Sequence, residues 1–362
     1  MAEALKLTAY LGERDRSGGG FTGDALIELF ARSSVAVSVQ LRGLAGFGRR
    51  HRIRSAQLLT LSEDLPIVAV AVDRSERIEA LLPEAAELLG DGGLITLERA
   101  RLSSAGETPP AAVEDGEVKL TVYLGRHRRV GGRPAHEATV ATLHDCGVAG
   151  ATALLGVDGT VAGERRRARL FGANAAVPVM VISVGDRLSV GRAMGRLREL
   201  LADAPMTLER IRVCKRDGLS LAPPPPGPGC DRSGLAVWQK LMIYSSEGTL
   251  VDGAPMYRVL LRAMRSRGAA GATALRGCWG YHGDHVPHGD RLLALRRRVP
   301  ALTIVIDTPE RIARLYPAID AITAETGLVT SEFVPALRAA GGGPDAGGLR
   351  LAERPPLGPS AD

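Results

Sequence analysis

Aromatic side chains are scarce: Phe, Trp and Tyr together make up 4% of the 362 residues. Cores must then be aliphatic, and a sheet that reads RNA by stacking bases on aromatic rings has little to work with. No run of about 18 uninterrupted apolar residues occurs, so no membrane insertion is predicted. The first residues lack the basic-then-apolar pattern of a signal peptide, which makes a cytoplasmic location the expectation. The four cysteines, Cys146, Cys214, Cys230 and Cys278, lie far apart without CxxC spacing. They outline neither a disulfide framework nor a thiolate metal site. Neither GxSxG, HExxH nor a GxxxxGK[ST] phosphate loop is present, so no catalytic residue or cofactor is named and the chain is expected not to be an enzyme.

What is present is repetition. Leu7-Thr8-Ala9-Tyr10-Leu11-Gly12 returns as Leu120-Thr121-Val122-Tyr123-Leu124-Gly125 and, more weakly, as Leu241-Met242-Ile243-Tyr244-Ser245-Ser246, at intervals of 113 and then 121 positions. Proline-headed apolar runs follow at 66–72, 178–184 and 300–306, and each unit closes on Thr96-Leu97-Glu98, Thr207-Leu208-Glu209 or Thr330-Ser331-Glu332. A period of roughly 100 residues predicts three modules. They are placed at 1–103, 117–217 and 237–336. A proline- and glycine-containing connector precedes the third, and a disordered tail rich in Gly, Pro and Ala is expected over 337–362.

Within each module the periodicity reads βαββαβ. Val35, Val37, Val39 and Leu41 alternate as in a strand, whereas Val190, Met194, Leu197 and Leu201 share one helical face. This predicts an α+β fold in which both helices cover one side of a four-stranded antiparallel sheet. The runs at 66–72, 178–184 and 300–306 are apolar on both parities, as expected if the second sheet face is buried too. Three sheets packed around a pseudo-threefold axis satisfy that within one chain, so a monomer acting as a pseudo-trimer is predicted.

Charge is +6 at pH 7, nearly all of the positive side being arginine. The bases gather in the long connections between the second and third strands. These hold Arg49, Arg50, His51, Arg52 and Arg54, then Arg165, Arg166, Arg167 and Arg169, then His282, His285, His288 and Arg291. Connections of this length on a rigid scaffold carry binding groups, and forked arginines suit phosphate. The glycines before them, Gly43, Gly46 and Gly48, Gly156 and Gly159, and Gly277, Gly280 and Gly283, could cradle a phosphate on backbone N–H groups or provide a tight strand exit. His282, His285 and His288 would share a face only in a helix, which Gly283 and Pro287 oppose, so no metal site is predicted.

The run Gly43-Leu44-Ala45-Gly46-Phe47-Gly48, then His51-Arg52-Ile53-Arg54 and Leu61-Ser62-Glu63-Asp64-Leu65-Pro66, resembles the uncharacterised DUF190 family, whose domains look like relatives of PII nitrogen-regulatory proteins. Gly147 to Thr152 and Ala270 to Thr273 are similar to the family's entry into its second strand. The resemblance spans 5–102, 118–215 and 239–334. It implies three tandem ferredoxin-like modules, a trimeric assembly and signalling or ligand sensing, with an adenine nucleotide or another phosphorylated small molecule in the clefts between modules. Carried onto this sequence, the ligand residues are Gly46, Phe47, Gly48 and His51, then Gly159, then Gly280, Tyr281 and His285. Arg52, Arg54, Arg165 and Arg167 join them from the basic loops. Thr160 stands where Phe47 would be, which suggests inequivalent sites. A protein partner engaging the loops fits the same reading. Nucleic-acid binding through the basic loops and a purely structural interaction module are the alternatives, with nucleic acid the less favoured partner.

Overall fold

A computed structural model describes residues 1–48, 54–55, 64–90, 93–103, 116–161, 164–165, 177–282, 287–289, 299–339, 349–353 and 355. The fold is α+β, with six helices among the described residues and the rest mostly strand. The first repeat runs β1 (Ala2–Gly12), α1 (Thr22–Arg32), β2 (Val37–Phe47), β3 (Pro66–Arg74), α2 (Ser75–Leu89), β4 (Leu94–Ser103). The second runs β5 (Glu117–Gly125), α3 (Ala135–Asp145), β6 (Gly150–Leu155), β7 (Asp158–Val161), β8 (Pro178–Asp186), α4 (Arg187–Leu200), β9 (Met206–Arg216). The third runs β10 (Trp238–Ser246), α5 (Met256–Ser266), β11 (Ala272–Arg276), β12 (Trp279–His282), β13 (Pro300–Asp307), α6 (Pro309–Ile322), β14 (Leu328–Val334), with β15 (Ala336–Ala339) after it. Glycines split the second strand of the last two repeats into β6/β7 and β11/β12. Each repeat also carries a short β-ribbon before its first helix, such as Arg16–Ser17 with Gly20–Phe21.

Two of the six described helices begin at a side-chain cap. The Asp186 carboxylate accepts from the Leu188 and Ser189 amides at the head of α4, and the Thr308 hydroxyl accepts from Arg311 N ahead of α6. Both supply an acceptor for amides that the first turn leaves without one.

In the first repeat β1 is central, antiparallel to β3 on one side and β4 on the other, and β2 lies outside β3. The other repeats copy this order. One face of each sheet packs on its two helices, which gives three aliphatic cores. The opposite faces meet one another. Val37, Val39, Val68 and Val70 from the first repeat join Leu154, Met180 and Ile182 from the second, and Met242, Leu302 and Ile304 from the third, in a fourth core. That shared core is why the strands at 66–72, 178–184 and 300–306 are apolar on both parities.

The sheets also join edge to edge. Starting from β2, each strand pairs with the next through β3, β1, β4, β9, β14, β10, β13 and β11, and β11 pairs back to β2, closing a circuit of nine strands. A closed circuit leaves no free edge along its run, which removes the usual template for aggregation.

Part of the segment expected as a disordered tail is structured. Residues 336–339 pair with Leu94–Leu97, Leu349 is buried in the first repeat's helix–sheet core, and Ala352 is held between Pro335 O and Arg99. Composition favoured disorder here, but Leu337 and Leu349 each find an apolar seat.

Candidate functional site: three junctions around a buried ion-pair ring

The long connections start where two repeats exchange strands. The second half of β2 pairs with β11 of the third repeat, β12 pairs with β6 of the second, and β7 pairs with the first half of β2. Each second strand thus gives its end to one neighbour and receives the other neighbour on its beginning. The three pairings share one register: Phe47 faces Ala272 and Ala45 faces Ala274, Tyr281 faces Ala151 and Trp279 faces Ala153, and Thr160 faces Ser38 and Asp158 faces Gln40.

The glycines read as ligand cradles are consumed by this crossing. A Cβ on Gly280 would lie 2.3 Å from Ala151 O and 2.9 Å from Pro300, one on Gly159 would lie 2.3 Å from Ser38 O and 2.8 Å from Pro178, and one on Gly46 would lie 2.8 Å from Ala272 O. Such contacts are impossible for real side chains, so glycine is needed for two backbones and a proline ring to meet. Gly48 is exposed, with nothing near its missing Cβ.

Phe47 and Tyr281 are buried anchors. Phe47 enters the third repeat's helix–sheet core beside Met256 and Tyr257. Tyr281 enters the second repeat's core, meets the His144 ring edge-on at 4.9 Å, and donates from its hydroxyl to Val148 O at 2.8 Å. Backbone pairing sets Arg54 opposite Gly46, Arg165 opposite Thr160 and His288 opposite Gly280, so the base of each connection returns onto its own junction. His51, Arg52, Arg167 and His285 lie outside the described residues.

At the centre lie the three glutamates that recur in the sequence, paired not with loop arginines but with three lysines that spacing along the chain does not single out. Lys6, Lys119 and Lys240 on the first strands stand directly opposite Glu98, Glu209 and Glu332 on the last strands of their own repeats. All six are buried, none more than 8% exposed. Within repeats, the ammonium–carboxylate distances are 2.6 Å for Lys6–Glu98, 3.0 Å for Lys119–Glu209 and 2.8 Å for Lys240–Glu332. Each lysine also reaches into a neighbouring repeat. Lys6 donates to Glu209, Lys119 to both oxygens of Glu332 at 2.6 and 2.8 Å, and Lys240 to Glu98 at 2.6 Å. The contacts close into an alternating ring, Lys6–Glu209–Lys119–Glu332–Lys240–Glu98, with one ion pair across each junction.

Electrostatics follow from that geometry. Burial opposes the Lys6 ammonium, yet Glu209, Glu98 and Glu332 outweigh it and raise its pKa well above the usual lysine value. Lys240 is raised in the same way, against its burial, by Glu332 and Glu98. Burial opposes the carboxylates too, but Lys240 and Lys6 hold Glu98 well below the ordinary carboxylate range, and Lys119 and Lys240 lower Glu332. At Lys119 burial wins over Glu209 and Glu332, and the pKa falls. The three carboxylates come within 4.8 Å of one another, a spacing that could ligate a cation, but three ammonium groups already neutralise them. Tyr123, also on this inner face, is pushed up to about 12 by burial.

A signal for the ring was present. The chain has four lysines among 46 basic residues, and three of them precede the repeated Leu-Thr-Ala-Tyr-type opening at equivalent positions. A lysine kept three times where arginine is otherwise used marks a place for a compact ammonium rather than a broad guanidinium fork. The fourth, Lys215, is buried as well and bonds Asp320 at 2.8 Å.

The DUF190 family model, described as "Uncharacterized ACR, COG1993", matches residues 4–102, 117–213 and 238–336. The chain belongs to the DUF190 family. A UPF0166 protein of Aquifex aeolicus is 34% identical over 94 residues, covering 26% of this chain and 88% of that protein. One from Methanocaldococcus jannaschii is 28% identical over 97 residues, 27% of this chain and 89% of its own. Each relative is thus the length of about one repeat, and this DUF190 chain carries three in tandem. No helix among its described residues is long and apolar enough to cross a membrane.

Proposed function

We propose that this DUF190 chain is a ferredoxin-like pseudo-trimer that works as a non-enzymatic, PII-like sensor, binding a phosphorylated small molecule where two repeats meet. The observation that carries this reading is the position of the long connections: each leaves and re-enters at a junction between repeats. A ligand held there touches two repeats and the root of a basic connection together, so its binding changes what that connection presents to a protein partner. Differential contact of this kind is what a ligand needs in order to shift a conformational equilibrium. The sheet faces argue against the nucleic-acid alternative, because Tyr123 and Tyr244 are buried in the shared core and offer no stacking surface.

Isothermal titration calorimetry of the full chain with ATP, AMP and cyclic di-AMP, beside a short single-stranded RNA, tests the proposal. Saturable binding of a nucleotide supports it. Binding of the RNA alone, with affinity falling steeply on added salt, would favour the nucleic-acid reading instead. Silence toward the whole panel would leave a protein-interaction module.

A further inference from the structure

The outer helices of the first and third repeats are built alike and charged oppositely. Helices α1 and α5 are both 11 residues long, and their buried residues coincide: Leu26 with Leu260, Ile27 with Leu261, Phe30 with Met264. In that register Asp24 and Glu28 of α1 stand where α5 has Arg258 and Arg262. The second helices align through Glu76-Arg77-Ile78 and Glu310-Arg311-Ile312, and again through Pro83 and Pro317. There Glu79, Glu84 and Glu87 of α2 give way to Ala313, Ala318 and Ala321 of α6. All five changes move the third repeat toward positive charge.

On α5, Arg258, Arg262 and Arg265 advance by four and three residues and share the face opposite the buried Leu260, Leu261 and Met264. Arg262 and Arg265 are exposed, and half-buried Arg258 lies over the Tyr257 ring, its Nε donating to the Tyr257 hydroxyl at 3.2 Å. The helix itself holds no acid, and two acids of neighbouring α6 are engaged elsewhere, Glu310 with Arg314 and Asp320 with Lys215. Like charges at this spacing oppose helix formation, a cost that a negative partner offsets. On α2, Glu76, Glu79 and Glu87 are exposed on one face, while the helix's own Arg77 turns to Asp73 and Ser34 O. The helices lie outside the three sheets, whose other faces meet at the centre, so α2 and α5 of one chain point away from each other and cannot pair.

We propose that the acidic face of α2 in one copy docks on the basic face of α5 in another, joining chains head to tail through their first and third repeats. Guanidinium forks engaging carboxylates fix the register of the two helices. The arginine stripe runs about 10 Å along its helix, which matches the carboxylates of one facing helix and is short for a nucleic-acid duplex, whose binders neutralise many phosphates. The two surfaces differ, so the contact is heterologous. Each joined chain keeps a free face of either sign, and the assembly grows open-ended instead of closing as a two-fold dimer. Exposed ion pairs are weak and screened by salt, so the dilute chain at physiological salt stays single and joins only when concentrated at low ionic strength. This inference is independent of ligand binding at the junctions.

Sedimentation of the full chain over a wide concentration range, at about 20 mM and about 500 mM salt, tests it. At low salt the average mass should climb above 38.1 kDa as concentration rises, and at high salt it should return to that value. The variant R258D/R262E gives the third repeat the residues that the first already carries at these positions, and E76Q/E79Q neutralises the other face. Each alone should melt as cooperatively as the parent and lose the rise in mass. Mixed, they bring together one native α2 face and one native α5 face, so association should return and stop at a pair of chains. Arg262→Glu alone should weaken association by about tenfold, and it decides the matter if a double variant does not fold. A parent that stays single at low salt, association that persists in either double variant, or a mixture that stays single would each overturn the inference. A parent that stays single yet binds a short DNA duplex, and loses that binding in R258D/R262E, would assign the face to nucleic acid instead.

Discussion

Glu98→Gln isolates the electrostatics of the central ring. The substitution keeps the size of the side chain and removes its charge. Glu98 is 2% exposed and accepts from Lys6 and Lys240, both at 2.6 Å, so its neutralisation leaves the interior with one unmatched positive charge shared by two ammonium groups. Breaking one partner of a buried ion pair costs about 3–5 kcal/mol, because the remaining charge has lost its compensation and water cannot reach it. Replacing a whole buried ion-pair set by apolar residues of similar volume is often neutral or stabilising, since desolvation of the charges disappears with them. The two substitutions therefore separate charge balance from space filling. Urea unfolding followed by far-ultraviolet circular dichroism measures both, with the Glu98→Gln midpoint well below that of the parent and the six-residue replacement, lysines to Met and glutamates to Leu, closer to the parent than Glu98→Gln. Inverting all six charges restores alternation around the ring, whereas exchanging only Lys6 and Glu98 creates like-charge contacts with Glu209 and Lys240. The sixfold inversion should accordingly be more stable than the single exchange. A Glu98→Gln protein within about 0.5 kcal/mol of the parent, the range of an ordinary surface change, would refute the reasoning.

Acid should act through the same groups. Glu98 and Glu332 have pKa values below the ordinary carboxylate range when folded, so the folded state binds fewer protons than the unfolded one; their contribution is complete above about pH 4.3 and is lost as pH falls through the folded values, a slope that stability-against-pH curves should show and that Glu98→Gln should flatten. Gly280→Ala forces a Cβ to within 2.3 Å of Ala151 O, a backbone atom that cannot yield, and should cost about 1–3 kcal/mol or more in thermal melts. Gly191→Ala and Gly195→Ala in α4 meet nothing within 4 Å and should each stabilise by up to about 1 kcal/mol; a loss at either would contradict the helix assignment. Phe47→Ala empties a seat in the third repeat's core and should cost about 3–5 kcal/mol by chemical denaturation, whereas a role confined to ligand contact would leave stability unchanged.

The repeats, their element order and the burial of both sheet faces are legible in the sequence because each is carried by a periodicity that apolar residues cannot hide. Val68 and Val70 on one parity and Ile67, Ala69 and Ala71 on the other belong to two different cores. Partnership is harder to see. Gly46, Gly159 and Gly280 read as places for a ligand to approach backbone, and a backbone does approach, but it belongs to the next repeat. Phe47 and Tyr281 carry the same ambiguity, since an aromatic beside glycines serves a ligand or an anchor equally well. The lysines escape because strand periodicity assigns an isolated charge to solvent. Only the register of Lys6 against Glu98, and of its two copies, shows that the charge faces inward.

Small-angle scattering of the dilute full chain, with mass taken from the forward intensity, tests most directly whether three repeats close on one another within a single chain. The nine-strand circuit and the shared core predict a particle of 38.1 kDa with a radius of gyration of about 21 Å, the value for a compact chain of this length. A radius well above that at the same mass, as three separate beads on linkers would give, or a mass three times larger, would contradict the account.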